Sequence, residues 1–176
     1  MRCLHSMEYK LVFLGMFVNQ VFSIMNSIEQ KQQRIVIQLG IVQQLMGTRM
    51  QQLIKPLGVS SSEFALLNHF SHQPTRSWTI SELAKVMEMN QPGITKVVAN
   101  LIEKGALVAT QDKTDKRKRH LTITGQGLQL GRDSMARLAP DIGACFADWQ
   151  EQELDQLLAT SAKLMEWLDN HRLPTK

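Results

Sequence analysis

From residue 28 to residue 53 apolar side chains return at helical spacing, at Ile28, Ile35, Leu39, Val42, Met46, Met50 and Leu53. That period marks one face of a helix. Glutamines crowd the remaining positions. Because the apolar period runs through them, they read as solvated helix surface rather than a low-complexity tract. Pro56-Leu57-Gly58 stops the pattern. "SSSEFALLNHF" follows, with a serine to cap a helix, an acid in the first turn, and Phe64, Leu67 and Phe70 on one face. "HQPTRSW" has no period and reads as a loop. "TISELAKVM" is a short helix in which Thr79 and Glu82 have the spacing of a capping box.

"NQPGITKVVANLIEKG" predicts the next helix, with Asn90 as N-cap, Pro92 in the first turn and Gly105 at the C-terminus. A rotation of about 100° per residue puts Ile94, Val97, Val98 and Leu101 on the buried side. Pro92, Thr95, Lys96, Ala99 and Glu103 then face outward. "ALVAT" and "RHLTI" read as two strands joined by a charged loop. From residue 125, Leu128, Gly131, Met135, Leu138, Ile142, Cys145 and Trp149 step by three and four, a seam for helix-on-helix packing. Pro140 is expected to kink that helix. The last helix, residues 151 to 171, starts with acids near its positive dipole end and is expected to bury Leu154, Leu157, Leu158, Leu164 and Leu168.

Composition narrows the chemistry. The chain has 176 residues, 43% of them apolar, enough for one good core. The net charge is only +4, but "DKTDKRKRH", residues 112 to 120, holds five cationic side chains in nine positions, beside Asp112 and Asp115. The chain beyond residue 147 is acidic, so the positive charge is local to the hairpin and calls for an anionic partner there. Two distant cysteines, Cys3 and Cys145, make neither a disulfide framework nor a metal cluster, and a reducing, cytoplasmic setting is expected. Cys145, on an apolar stripe, is expected to be a small buried hydrophobe. His69 and His72 stand three apart without a third ligand, so no metal is expected. "GQGLQLG" lacks the spacing and the lysine of a phosphate loop. No nucleophile, base and acid converge in the pattern, so neither an enzyme nor a cofactor is expected.

The first 25 residues stand apart. "LVFLGMFVNQVFSIM", residues 11 to 25, is apolar but broken by Asn19 and Gln20, and follows Arg2 and Lys10. It lacks the uninterrupted run of about 18 apolar residues that a membrane span needs, and no small-residue cleavage site follows. Residues 1–25 are expected to be an extension produced by a start assigned too far upstream, with Met25 the working start. The other reading is a helical arm packed on a partner subunit.

Two helices, a helix with small and polar residues outward, and a charged hairpin make a helix-turn-helix with a wing. A helix enters the major groove only if its outward side chains leave room. Thr95 and Ala99 are small, and Lys96 reaches phosphate or guanine. The wing fits the adjacent minor groove, where the potential is most negative. Lys113, Lys116, Lys118 and Arg119 suit phosphates. Gln91, Pro92, Thr95 and Lys96 on the recognition helix, with Thr79 and Ser81 on the short helix before it, complete the DNA-facing set.

"LGVSSSEFALLNHF", "TISELAKVMEMNQPGITKVVANLIEKGAL" and "DKTDKRKRHLTITGQG" resemble the MarR family of bacterial transcription regulators. The resemblance rests on Leu83-Ala84, Thr95, Leu101, Gly105, the Asp112-x-x-Asp115-Lys116-Arg117 run and Ile123-Thr124-x-x-Gly127, and covers residues 30 to 170. It implies a mainly α winged-helix domain over 26–172. The DNA-binding lobe would lie at 60–124, and a dimerisation lobe would be built from helices near 28–55 and 125–171. It implies that Arg117 sits at the wing tip and reaches the minor groove, with Asp115 holding its guanidinium by a bidentate pair. It implies a homodimer on operator DNA, acting as a repressor released by a small aromatic or phenolic ligand, with Trp78 and Arg76 as candidate ligand contacts. An activator or a ligand-independent DNA binder is the alternative. Ala99, Asn100 and Gly93 depart from the family pattern, so its base preference does not carry over.

Overall fold

The computed structural model describes residues 27–112, 115 and 118–173. The N-terminal extension, with its Met25 start, and four residues of the charged loop, Lys113, Thr114, Lys116 and Arg117, lie outside the described residues. The order is α1 Ser27–Ile54, a 3-10 turn Lys55–Leu57, α2 Ser61–His72, α3 Ile80–Val86, α4 Gln91–Glu103, β1 Leu107–Gln111, β2 Arg119–Ile123, α5 Gly125–Cys145 and α6 Glu151–Asn170. Two compact units divide the chain, one up to Gln52 and one from Leu53. In the first unit the described residues form a single helix.

The second unit shows how local chemistry sets each boundary. Ser60 caps α2: its hydroxyl accepts from Glu63 N–H at 3.2 Å, and Ser60 N–H donates to Glu63 Oε2 at 2.8 Å. Thr79 and Glu82 make the same reciprocal box at α3, and Asn90 Oδ1 accepts from Gly93 N–H at 2.8 Å to start α4. Each box satisfies two orphan donors, with a cap substitution worth about 1 kcal/mol. α4 ends in a Schellman motif: Ala106 N–H donates to Leu101 O at 2.8 Å, and Gly105 N–H to Ile102 O at 2.9 Å. Gly105 has φ +67°, a conformation that favours glycine.

The core lies between these helices and the hairpin. Leu66, Phe70, Leu83, Ile94 and Leu101 are fully buried, each worth about 1.5–3 kcal/mol by transfer. β1 and β2 pair antiparallel from Leu107↔Ile123 to Gln111↔Arg119. Trp78 adds a short third edge: its N–H donates to Leu121 O at 2.9 Å and its carbonyl accepts from Leu121 N–H at 2.8 Å. The start of α5 is pressed against the turn after α4. Thr124 Oγ1 donates to Gly105 O at 2.7 Å, Gln126 Nε2 donates to Lys104 O at 2.9 Å, and a Cβ on Gly127 would stand 2.2 Å from Ala106 O.

Several expectations change. Leu157, Leu158, Leu164 and Leu168 of α6 are exposed rather than buried, and Leu154 is only half-buried. Ile28, Ile35, Leu39, Val42 and Met46 of α1 and Met135, Ile142 and Trp149 of the seam, read as a face for helix-on-helix packing and not as buried within one chain, are exposed as well. Periodicity marks a face for burial but does not say whether the covering surface lies in the same chain. Cys145 is exposed, not a buried hydrophobe. α5 continues past Pro140 and stops at Cys145, so Trp149 lies in the turn, edge-on to Phe146 with ring centroids 5.3 Å apart. Among the described residues no helix is long and apolar enough to cross a membrane.

Candidate nucleic-acid interface

α4 presents the face that its period predicts. Ile94, Val97, Val98 and Leu101 are buried, while Gln91, Pro92, Thr95, Lys96, Ala99 and Glu103 are exposed. The Thr95 hydroxyl donates to Gln91 O at 2.7 Å, so at rest it is turned back on the helix. Gln91 Nε2 approaches Ser81 Oγ at 3.4 Å and joins α3 to α4 on one side. Thr79 is committed to its cap: its hydroxyl donates to Glu82 Oε2 at 2.8 Å. That hydroxyl and the Thr79 N–H hold the Glu82 carboxyl below its ordinary value, backbone bond first, with Arg76 and His120 adding smaller attractions against burial.

Lys118 and Arg119 of the wing are exposed. Lys113, Lys116 and Arg117 lie outside the described residues, and so does the Asp115–Arg117 pair. The described loop residues form a closed set of bonds. Asp112 N–H donates to Lys118 O at 3.0 Å, and Lys118 N–H donates to Asp115 O at 2.9 Å. Asp112 Oδ1 accepts from Asp115 N–H at 2.8 Å. The second Asp112 oxygen lies 2.7 Å from His120 Nε2. The Asp115 carboxylate is 4.0 Å from Lys118 Nζ. The charge pattern of the loop gave no sign of His120 as a partner of Asp112; its alternation in β2 was the available signal.

Two further features were missed. Glu63 is buried, and Lys104 Nζ donates to its Oε2 and to Gly58 O, both at 2.7 Å. Burial pushes the Glu63 carboxyl up, but Lys104 and the Ser60 N–H pull it down further, and it ends below the ordinary carboxylate range. The pair ties the C-terminus of α4 to the start of α2. A cleft of about 310 Å³ also lies between α2 and α5, lined by Phe64, Leu67, Asn68, Leu128, Arg132 and Met135 among others. A larger open groove of about 670 Å³ runs between the end of α3 and the end of α6.

Trp78 and Arg76 are brought together. The guanidinium carbon stands 3.6 Å above the indole centroid, a cation–π contact. Trp78 itself is 6% exposed and belongs to the core cluster, with the His69 ring edge-on at 4.6 Å. Burial, then the charges of His72 and Arg76, hold the His69 imidazole below its ordinary value. Neither Trp78 nor Arg76 lines either of the two openings above. Among the described residues no group of three candidate metal ligands occurs.

Two packed helices, a third with its small-residue face outward, and an antiparallel wing beside it define a winged helix-turn-helix. Within that class the sequence profile of the MarR family matches residues 57–118. No curated protein matches the chain in sequence. In structure it is similar to the transcriptional regulator BldR from Sulfolobus solfataricus, with 21% identity, TM-score 0.68, and coverage of 81% of this chain and 99% of that one. It is similar to a MarR protein from Peptoclostridium difficile, with 21% identity, TM-score 0.68, and coverage of 85% and 92%. It is also similar to MepR from S. aureus, solved in complex with DNA, with 17% identity, TM-score 0.64, and coverage of 75% and 96%. Residues 57–118 thus carry the MarR-family profile, and the fold of the chain is the winged-helix fold of these MarR-family structures.

Proposed function

We propose that this protein is a cytoplasmic homodimeric repressor that binds a pseudo-palindromic operator and leaves it when a small ligand binds. The observation that carries the DNA reading is α4, whose exposed face of Gln91, Pro92, Thr95, Lys96 and Ala99 stands next to a wing rich in lysine and arginine. Lys96 and the wing cations neutralise phosphates, and Gln91 and Thr95 meet base edges. With few long side chains on α4, the shape of the DNA carries part of the specificity. Two copies related by a two-fold axis put their recognition helices about one helical turn apart on the duplex.

The effector is a small aromatic or phenolic anion in the cleft between α2 and α5. Phe64, Leu67, Leu128 and Met135 supply apolar walls there, and Arg132 and Asn68 supply polar contacts. Trp78 and Arg76, engaged with each other and, through Trp78, with the wing sheet, are the other candidate contacts for such a ligand.

Genome-wide occupancy of the tagged protein, followed by titration of the bound DNA with purified protein, tests this reading. A discrete set of palindromic sites, with affinity falling steeply in salt, is the expected result. Uniform affinity for unrelated duplexes of equal length would overturn sequence-specific regulation. Adding phenolic acids during the titration separates a released repressor from a ligand-independent binder or activator.

A further inference from the structure

The register pairs Thr110 with His120, so Asp112 sits two residues further along β1's line, diagonal to His120 on the same face of the hairpin. Diagonal neighbours on one face are within reach of long side chains. Here the reach is realised: His120 Nε2 is 2.7 Å from Asp112 Oδ2. Both side chains are partly shielded, at 34% and 22% exposure, so water competes less for the bond.

We propose that His120 is a positioning residue for the wing: its imidazole fixes the Asp112 carboxylate, and that carboxylate anchors the turn at positions 112, 115 and 118, from which the cations Lys118 and Arg119 project. This inference rests on the DNA-binding reading above. A hydrogen bond to the second oxygen of a carboxylate restrains rotation about its Cβ–Cγ bond. Held by His120 at Oδ2, Asp112 keeps Oδ1 aimed at the Asp115 N–H, 2.8 Å away. The Asp112 N–H and the Lys118 N–H then close the turn at 3.0 and 2.9 Å. Positions 112, 115 and 118 are thereby anchored, and the sequence places Lys113, Lys116 and Arg117 between these anchors. A turn already anchored at 112, 115 and 118 in the free protein loses less conformational freedom there when DNA arrives, which shows as affinity. The Nε2–H of His120 can donate to this carboxylate in either the neutral tautomer or the imidazolium form. A glutamine at the same position has a donor amide that can take its place.

The test uses full-length protein and the operator found by occupancy mapping. Three single variants (His120→Leu, His120→Gln and Asp112→Asn) and the double variant Asp112→Asn/His120→Leu are compared at fixed pH and salt. His120→Leu is expected to weaken operator binding about tenfold, with a shallower salt dependence because fewer phosphates are met. His120→Gln is expected to stay within about threefold of wild type, and His120→Leu to add little once Asp112→Asn is present. Amide hydrogen exchange at Asp115 is expected to quicken in His120→Leu while exchange at Leu121 in the strand stays slow.

If His120→Gln binds as poorly as His120→Leu while Asp115 exchange remains as in wild type, the imidazole touches DNA directly and the positioning role is overturned. Unchanged affinity and unchanged Asp115 exchange in His120→Leu overturn it as well. Wild-type protein that binds no DNA would remove the functional reading. The exchange arm would then still decide whether His120 holds the loop.

Discussion

Asp115 carries a negative charge into a loop rich in lysine and arginine, and two accounts of it differ in sign. If it holds the neighbouring arginine, Asp115→Ala weakens operator binding, as a smaller version of the loss of about 1–3 kcal/mol expected for Arg117→Ala. If charge alone matters, removing an aspartate tightens binding. We expect weakening, and a titration at fixed salt in which Asp115→Ala binds more tightly than wild type sinks the holder role. The Glu63–Lys104 pair also acts at the scale of single residues. Lys104→Met leaves a buried carboxylate without its cation and is expected to cost about 2 kcal/mol of stability. Because the Glu63 carboxyl is held below its ordinary range, it binds a proton less readily folded than unfolded. Its contribution is therefore present above the ordinary carboxylate range and is lost as pH falls through the depressed value. Glu63→Gln should flatten that acid limb in denaturant titrations run from neutral pH downward. A limb as steep as wild type would show that other carboxylates carry it.

Elements are joined in this fold by close backbone approach. α5 begins where α4 hands over to β1, and Gly127 lies where any Cβ would stand 2.2 Å from Ala106 O and 2.9 Å from the Ile123 side chain. A backbone oxygen cannot swing aside as a flexible side chain can. Gly127→Ala is therefore expected to destabilise by about 3 kcal/mol, at the upper end of overpacking costs. Gly131→Ala, whose Cβ would meet only Leu67 at an ordinary 3.8 Å, should be close to neutral. Thermal melts of the two variants check this, and equal melting temperatures would refute it. The contrast also explains the Ile123-Thr124-x-x-Gly127 run. Thr124 caps α5 and grips the Gly105 carbonyl, and Gly127 allows the approach that makes both contacts possible.

At the scale of the whole molecule, the apolar surface left bare decides the expected assembly. α6 leaves Leu157, Leu158, Leu164, Met165, Trp167 and Leu168 exposed, and α1 leaves Ile35, Val36, Leu39, Val42, Leu45 and Met46 exposed. Apolar stripes of this extent mark interaction surfaces. We expect a mass of twice 20.0 kDa in light scattering at micromolar concentration. Leu157→Lys combined with Leu164→Lys should give a folded monomer that binds operator at least tenfold more weakly, since two half-sites are no longer read together. A monomeric wild type overturns the dimer.

Sequence by itself determined the helices, the strands and the buried side of α4, because backbone caps and apolar period act within a few residues. Ser60, Thr79, Asn90 and Gly105 each announced their boundary, and the structure places each in the cap or turn that its chemistry demands. The charged hairpin and the outward face of α4 were legible for the same reason. Only the tertiary structure decided the rest. Glu63 pairs with Lys104 across 41 positions, and Trp78 joins the edge of a sheet whose strands begin far beyond it. His120 reaches Asp112 only once a register is fixed. The amphipathic pattern of α6 was legible as a pattern, yet its exposure within a single chain was not. An apolar stripe specifies that it will be covered, and the partner that covers it is a property of surfaces, which no local spacing encodes.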